Sequence, residues 1–271
     1  MRGRERSRRP EAVIEDLKGL LAEGCRDITL LGQNVNSYGK DLDENIDFSD
    51  LLRMVNEVPG DFLIRFMTSH PKDASEKLFK TMAECEKVAH HLHLPFQSGS
   101  TRVLQAMNRR YTREDYLNKI KLIRSYVPDI VLTSDVIVGL PGETEEEFEE
   151  TLSLVETVGF DALFTFIYSK RSGTPAAVME DAYTREDKQK RFDRLIELQN
   201  SISEKAHAKY VGSVQRVLVD GKGRDGAYNL TARTNGGRLV HLMGNEASVG
   251  SFTDALITDS NTWALFGKEN N

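Results

Sequence analysis

Hydrophobic positions along the first 170 residues alternate between two periods. Val13, Ile14, Leu17, Leu20 and Leu21 recur at helical spacing after Pro10, and Gly24 follows as a stop. The short apolar run "ITLL" (28–31) then reads as a buried strand. The unit recurs: a helix from about Ser49 and strand "FLIRFM" (62–67), a helix from about Lys72 and strand "HLHL" (91–94), helices near 101–107 and 112–126 and strand "IVLTSDVIV" (130–138). A helix capped by Thr144, with Glu147 three residues on, leads to strand "ALFTFIY" (162–168). Five apolar strands separated by helices predict a parallel sheet, a TIM-like barrel or part of one. Such a sheet ordinarily opens on a strand, whereas a loop and a helix come first here. The pattern therefore predicts a barrel lacking its first strand, as an N-terminal truncation would leave it.

After Thr184, with Asp187 at the third capping position, a charged helix runs to about Tyr210, and beyond it the period falls to two. "VQRVLVDG", "YNLTARTNGGRLVHL" and "SFTDALITDSNTWALFG" read as short strands with Gly and Asn turns, "TNGG" (234–237) being a hairpin signal. The predicted organisation is an α/β barrel remainder over 1–183, a connecting helix over 184–207 and a small all-β barrel over 208–271.

Composition narrows the class. With 39% hydrophobic and 29% charged residues among 271, the chain reads as an ordinary globular protein, and no apolar run approaches the roughly 20 residues of a membrane span. No apolar stretch follows the basic N-terminus, so it is not a secretory signal, and a cytoplasmic location is expected. Cys25 and Cys85 have no CxxC or CxxH neighbours and read as buried thiols. The net charge of −6 is uneven, with five arginines in "MRGRERSRRP" and a near-neutral tail. The run "ETEEEFEE" (143–150) reads as a solvated helix face with its acids at the positive end of the dipole.

In parallel α/β barrels the chemistry gathers where strands end. The segments after the five strands are "GQNVNSYG", "TSHP", "PFQSGS", "GLPGET" and "SKRSGTPAA". Gln33, Asn34, Ser69, Gln97 and Ser98 offer amides and hydroxyls suited to a nucleoside or amino-acid ligand, and no GxGxxG, GxxxxGK[ST] or glycosidase-like acid pair is present. His70 stands at a strand end without an evident carboxylate partner, which favours a structural or ligand-contacting role over a base. In "HHLH" (90–93), His91 and His93 share a strand face with no acid or Cys ligand nearby in sequence, which favours core histidines over a metal cluster. In the tail, Arg216, Lys222, Arg224, Arg233, Arg238 and Lys268 are interleaved with Tyr228, Phe252 and Trp263, a mixture suited to phosphates and unpaired bases, while Trp263 and Phe266 read equally as core.

The ordered motifs "GRERSR", "LLGQNVNSYG", "RFMTSHP", "HLPFQSGS", "SDVIVGLPGET", "FTFIYSKRSGTPAA" and "TWALFGK" resemble the radical S-adenosylmethionine methylthiotransferases over essentially the whole chain. "TSHP" and "GTPAA" favour the tRNA-modifying branch. The resemblance implies a partial radical SAM barrel followed by an OB-like TRAM domain that binds RNA. It also implies S-adenosyl-L-methionine and two 4Fe-4S clusters in the complete enzyme. The CxxxCxxC loop that precedes the arginine-rich stretch in this family is missing, as is its cysteine-bearing N-terminal domain, and neither Cys25 nor Cys85 falls in either motif. By similarity, Gln33, Asn34, Gln97, Ser98, Asp135, Gly139 and Tyr168 are expected to bind the cofactor, with Asp135 and Glu143 departing from the wider GxIxGxxE spacing. Ser69, His70, Arg171, Arg216, Arg233 and Arg238 are expected to bind the RNA substrate. The implied reaction is methylthiolation at C2 of N6-isopentenyladenosine, position 37 of tRNA, recognised in its anticodon stem-loop, with sulfur and electron donors as further partners. The alternatives are methylthiolation of a ribosomal protein S12 aspartate, of threonylcarbamoyladenosine in tRNA, or no catalysis and RNA binding alone. The chain itself is expected to be inactive without the cluster cysteines.

Overall fold

The computed structural model describes residues 6–32, 34–67, 70–170, 173 and 179–270. Its first body is a curved wall of parallel strands backed by helices. Helix α1 (Pro10–Ala22) leads to β1 (Asp27–Leu30), α2 (Phe48–Asn56) to β2 (Leu63–Phe66), and α3 (Glu76–Glu84) to β3 (His91–His93). Two helices, α4 (Thr101–Ala106) and α5 (Arg113–Tyr126), precede β4 (Val131–Val138), and α6 (Glu145–Val158) precedes β5 (Ala162–Ile167). Strands β1 and β2 pair in parallel, as do β3, β4 and β5, and a parallel bridge between Ile64 and Val88 joins the two groups. This is the expected alternation, with one shift: 71–73 form a single 3-10 turn, and α3 starts at Glu76, capped by the Ser75 side chain on the Leu78 N–H. Among the described residues no strand pairs with the other edge of β1.

Local chemistry sets the helix starts. Capping boxes open α2 (Asp47 with Asp50), α5 (Thr112 with Asp115) and α6 (Thr144 with Glu147), each satisfying two N–H groups that the first turn leaves free. The core between wall and helices is apolar, with Phe96 and Phe160 stacked at 5.3 Å and the buried Tyr116 hydroxyl donating to Leu94 O at 2.8 Å.

Helix α7 (Arg185–Ala208) is more than a connector. Its buried residues Lys188, Arg191, Leu195, Gln199, Ser203 and His207 fall three or four apart, a stripe that is polar apart from Leu195. Each polar member has a partner: Lys188 pairs with Asp181 and Arg191 with Glu143, Gln199 donates to Phe160 O, Ser203 donates to Asp161 O, and His207 Nδ1 meets Asn261 O. The helix is thus part of the first body and touches the second.

The second body is a closed five-stranded barrel in the order β10–β8–β7–β6–β9. Its strands are β6 (Val214–Asp225), β7 (Tyr228–Thr234), β8 (Leu239–Met243), β9 (Phe252–Ser260) and β10 (Leu265–Glu269), around a core that includes Val217, Val219, Leu230, Val240 and Ile257. The expected hairpin at 234–237 joins β7 to β8.

That hairpin fixes one body on the other. Arg65, held by Asp27, donates to Asn235 O at 2.8 Å and Thr234 O at 3.2 Å, and the His90 N–H donates to Asn235 Oδ1 at 2.7 Å. Arg238 forms a buried ion pair with Asp161 and lies over the Tyr210 ring. Asp27, His90, Val131 and Asp161 all stand where strands begin, so the barrel docks at the N-terminal end of the parallel wall, away from the loops that follow the strands.

Candidate cofactor and substrate site

Two clusters form where the parallel strands end. At β1 and β2, Asn34 donates from Nδ2 to Asp73 at 2.7 Å, while Asn34 Oδ1 is buried without a partner. Lys40 also pairs with Asp73, and these donors hold the carboxyl below its usual range although burial opposes them. Asn34 also lines a cavity of about 1000 Å³ beside β1, whose walls include Leu17, Leu31, Tyr38 and Phe48.

His70 stands close by. Its ring nitrogens face two donors, the Lys72 N–H and Arg109 Nη1, each at 3.2 Å, and its ring meets Tyr111 edge-on at 5.9 Å. Burial, then the Arg109 charge, holds its pKa below the ordinary value. An imidazole kept neutral by burial and a neighbouring guanidinium is a weak base, which fits a structural or contact role. Tyr111 in turn donates to Pro95 O and Phe96 O, tying this cluster to the end of β3.

At β3, β4 and β5 the second cluster is more buried. Gln97 has φ +66°, a conformation that disfavours any residue but Gly or Asn, and its backbone bridges Asp135 O and the Ile137 N–H. Ser98 is fully buried and its hydroxyl accepts the Ser100 N–H. The Gly139 N–H donates to Glu143 Oε2 at 2.7 Å. Arg191 faces the same carboxylate at 3.3 Å, and Glu143 Oε1 is buried without a partner. Burial outweighs both donors and pushes the Glu143 carboxyl up. The Tyr168 hydroxyl is likewise buried and unpartnered, with Lys188 Nζ 5.6 Å from its ring centre. Lys188 also closes Gly139, where a Cβ would meet its side chain at 2.7 Å.

The concave face of the wall holds a polar column. Thr133 Oγ1 lies 3.0 Å from both His91 Nε2 and His93 Nδ1, and His93 Nε2 lies 3.6 Å from Asp135. An acid distant in sequence therefore stands beside His93, because β4 sits in register against β3. Among the described residues no group of His, Cys, Asp and Glu could hold a metal ion. Asp135 belongs to this column, with Phe164 across the strand pair and edge-on to His93 at 5.7 Å. The acidic run also departs from expectation: Glu143 and Glu147 are buried, and Arg102, Arg191 and Arg194 take up Glu147, Glu143, Glu145 and Glu149.

The expected RNA-contacting arginines of the β-barrel are engaged within the chain. Arg216 pairs with Asp61 and lies over Phe252, Arg233 pairs with Asp220, and Arg238 is buried in the interface. Trp263 is 72% exposed, so it is not core. Gln33, Ser69 and Arg171 lie outside the described residues. Sequence reasoning missed Asp73, Arg109 and the inward face of α7; the last had a signal, the three- and four-residue spacing of Lys188, Arg191 and Gln199.

Residues 1–155 match the model of the radical SAM superfamily and residues 208–268 that of the TRAM domain. The chain belongs to the radical SAM superfamily. The radical SAM chain is 50% identical over 267 residues to a protein of Acetivibrio thermocellus named tRNA-2-methylthio-N(6)-dimethylallyladenosine synthase, covering 98% of this chain and 56% of the relative. It is 48% identical to a protein of the same name from Clostridium botulinum, with 99% and 60% covered. It thus spans under two thirds of the length of these curated relatives. Among solved structures, coproporphyrinogen III oxidase (HemN) from Escherichia coli, titled a radical SAM enzyme, superposes with TM-score 0.51 at 16% identity, over 96% of this chain and 65% of that one. The methyltransferase TsrM from Kitasatospora setae gives TM-score 0.51 at 17% identity, over 63% and 33%. These likenesses bear on the fold alone.

Proposed function

We propose that this chain is the cofactor-cradling and RNA-binding part of a tRNA methylthiotransferase that acts on C2 of N6-isopentenyladenosine at position 37. The observation that carries this reading is the near-half identity, over almost all of its length, to relatives named for that product. Its location would be the cytoplasm, where tRNA is modified; no helix among the described residues is long and apolar enough to cross a membrane.

S-adenosylmethionine fits the residues at hand. Asn34 Oδ1, Glu143 Oε1 and the Tyr168 hydroxyl are buried polar atoms awaiting partners at the strand ends, which suits a ligand with ammonium and amino donors. The chemistry such a cofactor supplies is hydrogen abstraction by its 5'-deoxyadenosyl fragment. A 4Fe-4S cluster does not fit: the two cysteines are sixty positions apart, and burial raises the Cys85 thiol pKa, disfavouring the thiolate. Without cluster ligands, the chain alone would hold cofactor and RNA rather than turn over.

The placement of the β-barrel favours a long substrate. Strand β4 spans eight residues, roughly 26 Å at the usual rise. A ligand reaching from the β-barrel to the strand ends must be at least about that long, as an anticodon stem-loop is and a free nucleoside is not. The test is nucleoside mass spectrometry of tRNA from cells in which the gene is disrupted. Isopentenyladenosine should accumulate as its 2-methylthio form disappears. Retention of that form, or loss confined to the 2-methylthio form of threonylcarbamoyladenosine, overturns the proposal.

A further inference from the structure

With Arg216, Arg233 and Arg238 paired to Asp61, Asp220 and Asp161, the β-barrel needs a further surface if it is to grip RNA. Its outer wall carries one. Tyr228 on β7, His241 on β8 and Phe266 on β10 form a ring cluster: His241 and Phe266 stack at 5.2 Å and 21°, Tyr228 lies 5.2 Å from Phe266, and Tyr228 lies 6.4 Å from His241. All three are only partly buried. One step along the same strands, Met243 and Lys268 stand in register, Met243 being 40% exposed. Lys268 is exposed and makes no ion pair among the described residues, whereas Lys222 is held by Glu246. The nearby acid Glu269 is occupied, accepting from Asn245 and Ser248; Asp259 lies cross-strand from Phe266 and binds only its neighbour's N–H.

We infer that Tyr228, His241 and Phe266 form the stacking platform on which the β-barrel holds unpaired RNA bases, with Lys268 on the adjoining phosphate. The inference rests on the RNA reading above and gives it a surface. Three considerations point to this occupant. Aromatic faces left half open to water cost free energy that a stacked base recovers, and such stacking tolerates any base. Strands β7 and β8 are the second and third of a closed five-stranded barrel, the pair that presents oligonucleotides in OB-type barrels. A flexible lysine beside the rings suits a phosphate. The platform is also separate from the interface turn, since Tyr228 and Met243 lie at the ends of β7 and β8 away from 234–237.

The test uses the whole chain with a labelled anticodon stem-loop RNA, and separately an unstructured oligouridylate, read by fluorescence anisotropy at low salt. Phe266→Ala should weaken binding by roughly 5- to 150-fold, the usual range for one lost stack. His241→Ser should act in the same direction without opening the core, and Phe266→Trp should restore binding to within about threefold of wild type. Lys268→Ala should flatten the log affinity against log salt slope by about 0.7. Wild-type binding that all four substitutions leave unchanged overturns the platform while leaving the tRNA reading intact. No wild-type binding to either RNA also overturns it, and the nucleoside analysis then decides separately whether the enzyme reading survives.

Discussion

Replacing Gly236 with alanine isolates what the β7–β8 turn contributes to joining the two bodies. A Cβ at that position would stand 2.2 Å from Val131 Cγ2 and 3.2 Å from Val131 Cβ. Ordinary carbon contact is about 3.5–4.0 Å, so something must give by roughly 1.5 Å. Val131 is poorly placed to yield: it is β-branched with a stiff χ1, 5% exposed, and its N–H is bonded to His90 O at 2.8 Å. Retreat of the turn instead lengthens the bonds from Arg65 to Thr234 and Asn235 and from the His90 N–H to Asn235 Oδ1. Overpacking of this kind costs about 1–3 kcal/mol. The φ of Gly236 lies outside the left-handed region, so alanine adds no backbone penalty and the effect is steric. Gly226, in the β6–β7 turn, supplies the control, since a Cβ there meets nothing within 4 Å. In urea unfolding Gly236→Ala should lose about 1–3 kcal/mol, whereas Gly226→Ala should be neutral or gain up to about 1 kcal/mol. Exchange of the Val131 and His90 amides should speed up in the first variant alone. Equal stabilities for the two variants would refute the reasoning.

Three further outcomes are expected. Burial, with the Arg65 and His93 charges, pushes the His91 pKa down to about 4. The unfolded chain therefore binds a proton that the fold refuses, and stability should fall by about 3 kcal/mol as pH drops from about 6.5 to 4. His91→Gln should flatten that slope, and an NMR titration of His91 at its ordinary value would contradict the account. The Glu143 carboxyl is pushed up by burial, so its contribution is complete below the ordinary glutamate pKa and is lost as pH rises through the raised one. Glu143→Gln should accordingly cost less stability near pH 8 than near pH 4, and the reverse order in paired denaturation curves would contradict it. Anaerobic reconstitution with iron and sulfide should leave the chain without a stoichiometric cluster, because two separated cysteines cannot ligate one. A brown product with about four irons per chain would overturn that expectation.

The periodicity of the chain was enough to place every strand of the parallel wall and the change to β structure after 208, because the burial of one face is written locally in residue spacing. Caps were legible for the same reason: Thr144 with Glu147 and Thr184 with Asp187 act within one turn. The polar character of the strand-end loops was legible too, because polar residues gather after each apolar run. What the spacing could not reveal was who meets whom. Arg238 looks like a free cation beside a hairpin, yet it is spent on Asp161, 77 positions away, and Arg216 on Asp61, 155 positions away. Asp135 joins His93 only because two strands lie in register, and Lys188 and Arg191 turn inward only because Asp181 and Glu143 wait there to offset their desolvation. Local hydrophobic spacing decides which faces are buried, whereas the partner of a buried charge is fixed by chain closure over long separations, and that is decided by the tertiary structure alone.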